Sequence, residues 1–547
     1  MKTASRNGRT YVILMIGLAA LVGFSAGCSD DEGGVTDGDG GSTAITIEAI
    51  IFNPKSPAPF DTMRATAIVT SESPNVGDFV SYSWTASGGT FLETNKSSVR
   101  WVAPTTSSVY ALTVKASNSV NTATATEDVF VGTLDDFITE RAGELHYTAS
   151  GDGLYYLSPP SDVESGVTVR FKDASSDVPV FPTEPAGEQY SFDLAATQAA
   201  HLSIVQIIRE RLTVVHDDLL AGVQTTIARD ERPVPIRPNE FSSPYVSPDG
   251  QLICYQGSLL DQTAPPSAGG VDTFSIYVYE IATQETQKVV FEGDVYGSFY
   301  PSFSSDNQRL VFVRNEIDDP TSWEYYTLPI SGSTVTPDTV PGALVQISDS
   351  GGLMGSESVP PSDRSKAWNP NPAFPVMAVA AANGELWLIP ADGGGAAVDI
   401  DGRITDGTWT TDGQTLAVST FEGGDVNRSN IYLVTPGGNP TLLLQGEEGD
   451  RLENLSWSGD GEFIIYTVDR SGEVWYEVAD VGGSSNLTKP ARITPAWTPS
   501  ADGAAAFGPP LMSLRSAWVP GTMTAVLFFL DRGTPRVMSI DLSGIAP

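Results

Sequence analysis

The chain has 547 residues, room for about three or four domains. Apolar residues make up 40% and charged residues 18%, too apolar for a disordered chain and too polar for a multi-span membrane protein. Against 30 bases stand 67 acids, and the resulting charge of −37 nearly excludes nucleic acid as a partner and argues against docking on anionic lipid through the protein surface.

The first 27 residues read as a signal, not as fold. Lys2, Arg6 and Arg9 form a basic start, and the apolar run 11–24 is too short to span a bilayer. Ser25-Ala26-Gly27-Cys28 follows and resembles the lipobox of bacterial lipoproteins, with Ser25 where Leu is usual. The resemblance implies that Cys28 is lipidated and becomes the new N-terminus, and Ser29 favours outer-membrane sorting. The alternative is an ordinary secretory signal with an incidental cysteine. Cys254 is the only other cysteine, so a lipidated Cys28 rules out an intrachain disulfide. Cys254 lies in the apolar run 252–255, which points to a buried, inert thiol. Residues 28–43 are Gly, Asp and Ser with almost nothing apolar, an acidic flexible linker. Asp37-Gly38-Asp39-Gly40 lacks the further ligands of a calcium loop.

Residues 44–132 alternate apolar and polar positions, with strands expected at 45–51, 63–69, 80–86, 99–102, 110–116 and 123–131. Such spacing fits a β-sandwich. The segments 82–89, 101–104 and 110–114 resemble PKD-type and bacterial Ig-like modules, which implies a core role for Trp84 and a strand position near a corner for Tyr110. In that family such modules mostly serve as spacers or adhesive units.

Residues 133–240 give weaker signals. Ser150-Gly151-Asp152-Gly153 reads as a tight turn, and 202–208, 212–216 and 223–228 read as strands. From 241 to 547 the chain repeats itself. Tyr245-Val246-Ser247-Pro248-Asp249-Gly250, Phe303-Ser304-Ser305-Asp306-Asn307, Trp409-Thr410-Thr411-Asp412-Gly413 and Trp457-Ser458-Gly459-Asp460-Gly461 each precede an apolar strand, and a second strand follows. Weaker copies begin at Trp368 and Trp518. The unit is a hairpin: an aromatic ends one strand, Asp-Gly makes the turn, and a buried strand follows. Units of about 40 to 60 residues, all strand, have the period of four-stranded propeller blades.

The aromatic-Ser-Pro-Asp-Gly pattern, best kept at 246–250, resembles the β-propeller repeat of TolB and related periplasmic proteins. An Ig-like module stands here in place of the helical N-terminal domain of TolB. The expected fold is therefore all-β: an Ig-like β-sandwich, then a β-propeller over 133–547. Six blades are clear, and 133–240 holds either two degenerate blades, for a ring of up to eight, or a separate β-rich segment. No fourth strand follows the last copy, so an N-terminal strand is expected to complete that blade.

Catalytic chemistry is sparse. His146, His201 and His216 all precede the clear repeats, and no Cys/His cluster has zinc spacing. No Gly-x-Ser-x-Gly elbow occurs, and Gly355-Ser356-Glu357-Ser358-Val359 lacks the second glycine. Trp368, Trp409, Trp457 and Trp518 recur at one repeat position, which points to packing more than to sugar stacking. Two long inserts, 257–272 and 346–366, offer candidate contact loops. Positions three before each aromatic, Ser242, Asp406, Asn454 and Arg515, are expected to face one mouth of the ring. The sequence thus points to a non-enzymatic, outer-membrane lipoprotein that binds an envelope protein, with no cofactor and no metal. The alternative is an envelope lipoprotein that binds or processes carbohydrate.

Overall fold

A computed structural model describes residues 44–545 apart from 72–78, 139–142, 148–152, 159–167, 174–176, 180–187, 195–200, 209–210, 219–222, 230–243, 258–274, 291–295, 317–318, 350–366, 382, 424–426, 484, 486, 488, 498–516 and 532–533. Every regular element among the described residues is a strand.

The N-terminal unit follows from period-two alternation. Thr62–Ser71 buries Met63, Ala65 and Ala67 on one side and turns Arg64 and Thr62 outward. It lies between Ile45–Asn53 and Ser98–Val102, with Thr90–Phe91 beyond. A second sheet holds Ser81–Ala86, Ser108–Ser117 and Thr122–Val131. The two sheets share one core around Trp84, Trp101 and Leu112. Both indoles find a partner: Trp84 Nε1 donates to Lys96 O (2.9 Å) and Trp101 Nε1 to Gly88 O (3.0 Å). Tyr110 Oη donates back to Thr106 O (3.0 Å).

Eight sheets follow in chain order. Blades 1 to 7 span 143–179, 188–229, 245–290, 296–346, 376–398, 403–445 and 450–492. Blade 8 takes three strands from 517–541 and its outer strand from Leu134–Ile138, which pairs antiparallel with Thr534–Asp541. The expected closing strand is thus present, and 133–240 supplies two true blades as well as that strand. Tyr156 of blade 1, fully buried, packs against Val526 and Phe528 of blade 8 and joins the ends of the ring.

The repeated turn is built by side chains as much as by backbone. In blades 3, 4, 6 and 7 a hydroxyl two residues before the aspartate donates to it: Ser247 to Asp249 (2.6 Å), Ser304 to Asp306 (2.5 Å), Thr410 to Asp412 (2.7 Å) and Ser458 to Asp460 (2.5 Å). The same carboxylate accepts the backbone N–H two residues on, at 3.0 to 3.1 Å. The hydroxyl oxygen also accepts the N–H that opens the next strand, as in Phe463 N to Ser458 Oγ (2.9 Å). The residue after the aspartate is left-handed, with φ of 69° at Gly250, 57° at Asn307, 70° at Gly413 and 73° at Gly461. Blade 5 replaces this device with Asn369 and Asn371, whose amides donate to Gly413 O (2.8 Å) and Asp412 O (3.1 Å) of the next turn.

The turn frames also correct the alignment of the first copy. Ser247 aligns with Ser304, Thr410 and Ser458, so Val246, not Tyr245, occupies the position of Phe303, Trp409 and Trp457. Alternation then sends the two side chains to opposite faces: Val246 packs with Ile227 of blade 2, and Tyr245 meets Phe303 of blade 4.

Gly461→Val is expected to destabilise by roughly 1 kcal/mol in urea melts, because a β-branched residue must adopt positive φ there. Gly413→Ala is expected to cost more than Gly461→Ala. A Cβ at 413 collides with the Asn369 side chain, whereas at 461 only Thr410 Cγ2 lies near, at 3.6 Å. Equal midpoints for the two alanine variants would contradict this account of the turns.

Candidate functional site

Asp406 and Asn454 lie on the first strands of adjacent blades, Arg403–Trp409 and Asp450–Trp457. Asp406 Oδ2 accepts from Leu455 N (2.8 Å), so its carboxylate ties blade 6 to blade 7. That N–H needs an outside partner because the strand bulges there: Asn454 has φ 58° and the register slips between Glu453 and Ser456. Blade 4 repeats the device. Tyr300, with φ 54°, sits in a bulge and its N–H donates to Gln256 Oε1 of blade 3 (3.1 Å). Asn454 Nδ2 donates to Thr467 Oγ1 (3.0 Å) of its own blade. Ser242, Arg515, most of the two long inserts and the 355–359 segment lie outside the described residues.

Glu453, beside this bulge, is mostly shielded from solvent. Burial pushes its carboxyl up, Asp406 and Asp469 push the same way, and Arg451 opposes them. A carboxyl raised in the folded state favours folding when protonated, and that contribution is lost as pH rises through its folded value.

Of the histidines, His216 is buried between blades 2 and 3 against Tyr279, with ring centroids 5.7 Å apart. His146 and His201 lie on strands of blades 1 and 2. Among the described residues no group of three His, Cys, Asp or Glu is placed to hold a metal ion. Cys254 is fully buried. The four recurring tryptophans are 3–7% exposed, and each gives its indole N–H to the preceding blade, so their faces are not offered to a sugar.

The open site lies elsewhere, where the sandwich meets the ring. Phe130 of the sandwich enters the core of blades 7 and 8 beside Phe463, Tyr476 and Leu542. Ser108 Oγ donates to Gly544 O (2.6 Å), Ser56 Oγ to Arg492 O (3.3 Å), and Lys489 pairs with Glu127 across the junction. Beside these contacts runs a cleft of about 620 Å³ between strands Ile45–Asn53 and Thr122–Val131 on one wall and blades 6 and 7 on the other.

Trp475 lies at the cleft wall. Arg492 Cζ stands 4.6 Å, Arg470 Cζ 5.6 Å and Lys55 Nζ 5.9 Å from its ring centroid. The indole Nε1 donates to Glu477 Oε1 (2.8 Å), and Tyr466 Oη donates to Glu477 Oε2 (2.9 Å). Arg470 grips the buried Asp450 through Nε (2.6 Å) and Nη2 (3.0 Å), and those bonds raise its guanidinium above the usual range. Burial, with the charges of Arg492 and Arg470 adding to it, pushes the Lys55 ammonium down. Burial likewise lowers Arg492, and Arg470 adds to the effect against Glu477 and Glu473. No repeat motif marks these residues in the sequence, since Lys55 is about 400 residues from the others and only the fold unites them.

No protein-family profile matches the chain, and no curated protein matches it. Among solved structures it is similar to an oligogalacturonate lyase in complex with manganese, at 12% identity over 75% of this chain and 96% of that one, TM-score 0.42. It is also similar to the propeller domain of the Trilobed protease from Pyrococcus furiosus, at 8% identity over 66% and 99%, TM-score 0.38. TolB from Acinetobacter baumannii is similar at 11% identity over 75% and 82%, TM-score 0.28. All three are propeller proteins, and likeness at this level attaches no activity to the present chain.

Glu453→Gln is expected to raise the melting temperature at pH 7 and to leave it nearly unchanged at pH 4, where the native carboxyl is already protonated. An equal shift at both pH values would show that desolvation of the charge is not what matters there. Asp450→Asn is expected to cost about 1.5–3 kcal/mol, since it weakens a charge-assisted pair with a half-buried arginine; chemical denaturation measures it.

Proposed function

We propose that the protein is a non-enzymatic envelope lipoprotein whose propeller, with the sandwich docked against it, acts as a rigid scaffold for a partner protein. The observation that carries this reading is the composite cleft. Two separately folded β units share core residues at their junction and jointly wall a polar groove that neither unit makes alone. A surface built this way is held ready before a ligand arrives, which lowers the entropy cost of binding. The polar groups that the sequence offers at the ring, Asp406 and Asn454, are spent on bonds within and between blades.

The carbohydrate alternative calls for exposed aromatics at a channel mouth, and the four recurrent tryptophans serve blade packing instead. Lipidation at Cys28 and outer-membrane placement belong to the same proposal, supported by the signal pattern at 2–28.

Cys28→Ser is expected to shift the protein from the membrane to the soluble fraction or leave it unprocessed, read by fractionation and mass. Purified from solubilised envelope, the wild-type lipoprotein should retain a partner in fixed stoichiometry. Glu48→Lys, an exposed position on the cleft wall, should retain less of it, with melting temperature as the control for fold. Turnover of acidic oligosaccharides or peptides by the purified chain supplied with divalent metal would replace this reading by an enzymatic one.

A further inference from the structure

We propose that Lys55 and Arg492 form an anion site in the cleft, and that it takes a terminal carboxylate attached to a partly apolar body. The proposal goes beyond the scaffold reading, because a small acid can occupy the site whether or not a partner protein exists.

Acids outnumber bases by more than two to one in this chain, so a cation seldom lacks an acidic neighbour. Yet neither Lys55 nor Arg492 has a carboxylate within 4.0 Å among the described residues. Most of the acids around them are engaged, and exposed Glu473 acts on both only at longer range. Asp450 holds Arg470, Glu127 holds Lys489, and both oxygens of Glu477 carry hydrogen bonds from Trp475 and Tyr466. Both cations lie within 6 Å of one indole centroid, so their charges are no further apart than about one Debye length, ~10 Å at 0.1 M salt. Arg470 stands against the same ring, which adds like charge. Holding these groups together costs free energy that a bound anion would return.

The donor geometry selects the anion. Arg492 spends Nε on Thr494 O (2.7 Å), so its two Nη groups remain as a fork suited to bidentate carboxylate. Lys55 is exposed and supplies a second, mobile donor. Glu48, Asp128 and Glu447 also line the cleft and repel a doubly charged phosphate more than a singly charged carboxylate. Ile51, Phe52, Leu444 and Leu452 on the walls give an apolar body somewhere to lie. A volume of about 620 Å³ admits a small acid or the last few residues of a peptide.

The test is calorimetric titration of the purified mature protein at low salt. The probes are N-acetylleucine, a neutral apolar hexapeptide with a free C-terminus, the same peptide amidated, and inorganic phosphate. Either free acid is expected to bind, and their relative affinities tell a small acid from a chain terminus. The amidated peptide should bind at least about tenfold more weakly, the loss expected for a charge-assisted pair. Lys55→Gln should weaken the free acid several-fold and Arg492→Gln about tenfold or more. Lys55 is exposed, so its variant decides the matter even where Arg492→Gln fails to fold. Equal binding of acid and amide, no effect of Lys55→Gln, no heat at millimolar acid, or tighter binding of phosphate would each overturn the proposal.

Discussion

One contact recurs through blades 5 to 8 and fixes their geometry: the indole at the end of the first strand donates to the blade before it. Trp409 Nε1 reaches Ala367 O, Trp457 Nε1 reaches Thr408 O and Trp518 Nε1 reaches Ser456 O, at 3.0 to 3.2 Å. Each acceptor belongs to the residue just before the equivalent aromatic, so the bonds form a chain of blades. Trp368 keeps the geometry but uses Ser302 Oγ (3.1 Å). A net hydrogen bond is worth only about 1 kcal/mol. Its effect on orientation is larger, because a buried indole N–H left unpaired carries a desolvation cost that no other packing angle avoids.

That dependence explains what was legible from sequence. Tryptophan, hydroxyl, aspartate and glycine stand at fixed offsets because the staple and the turn are local, and local chemistry leaves a local pattern. The reading slipped by one residue at Tyr245 because an aromatic is conspicuous and Val246 is not, although Ser247 sets the frame. Blades 1 and 2 were read only as candidates for the same reason: they carry Tyr156 and His216 inward without the tryptophan signature. The cleft left no trace, since Lys55, Arg470, Trp475 and Arg492 become neighbours only through docking of two units. Asp406 is expected at a mouth from its place three residues before an aromatic, whereas its bond to Leu455 N answers a bulge that sequence does not announce.

Within a chain of net charge −37, the cleft is richer in bases than the average: its lining holds four bases to six acids, against 30 to 67 overall. A uniformly acidic surface keeps a chain soluble and monomeric but gives little discrimination among partners. Concentrating four bases at one junction softens the repulsion that an anion meets there. The same segment helps to join the two units, since the Arg492 backbone carbonyl accepts from Ser56 and nearby Lys489 pairs with Glu127. Site and junction are therefore one feature, and loosening the sandwich would dissolve the binding groups with it.

The strand Leu134–Ile138 also sets a schedule. It directly follows the sandwich strand Thr122–Val131, yet its partner is Thr534–Asp541, about 400 residues later. At ribosomal rates of roughly 5–20 residues per second, that partner emerges on the order of tens of seconds after it. For that interval every other blade can form while the closing edge waits unpaired, an invitation to pair with another chain. Joining chain ends across such a distance costs only slightly more entropy than across half of it, because the cost grows with the logarithm of length. The delay is thus a hazard of time more than of energy.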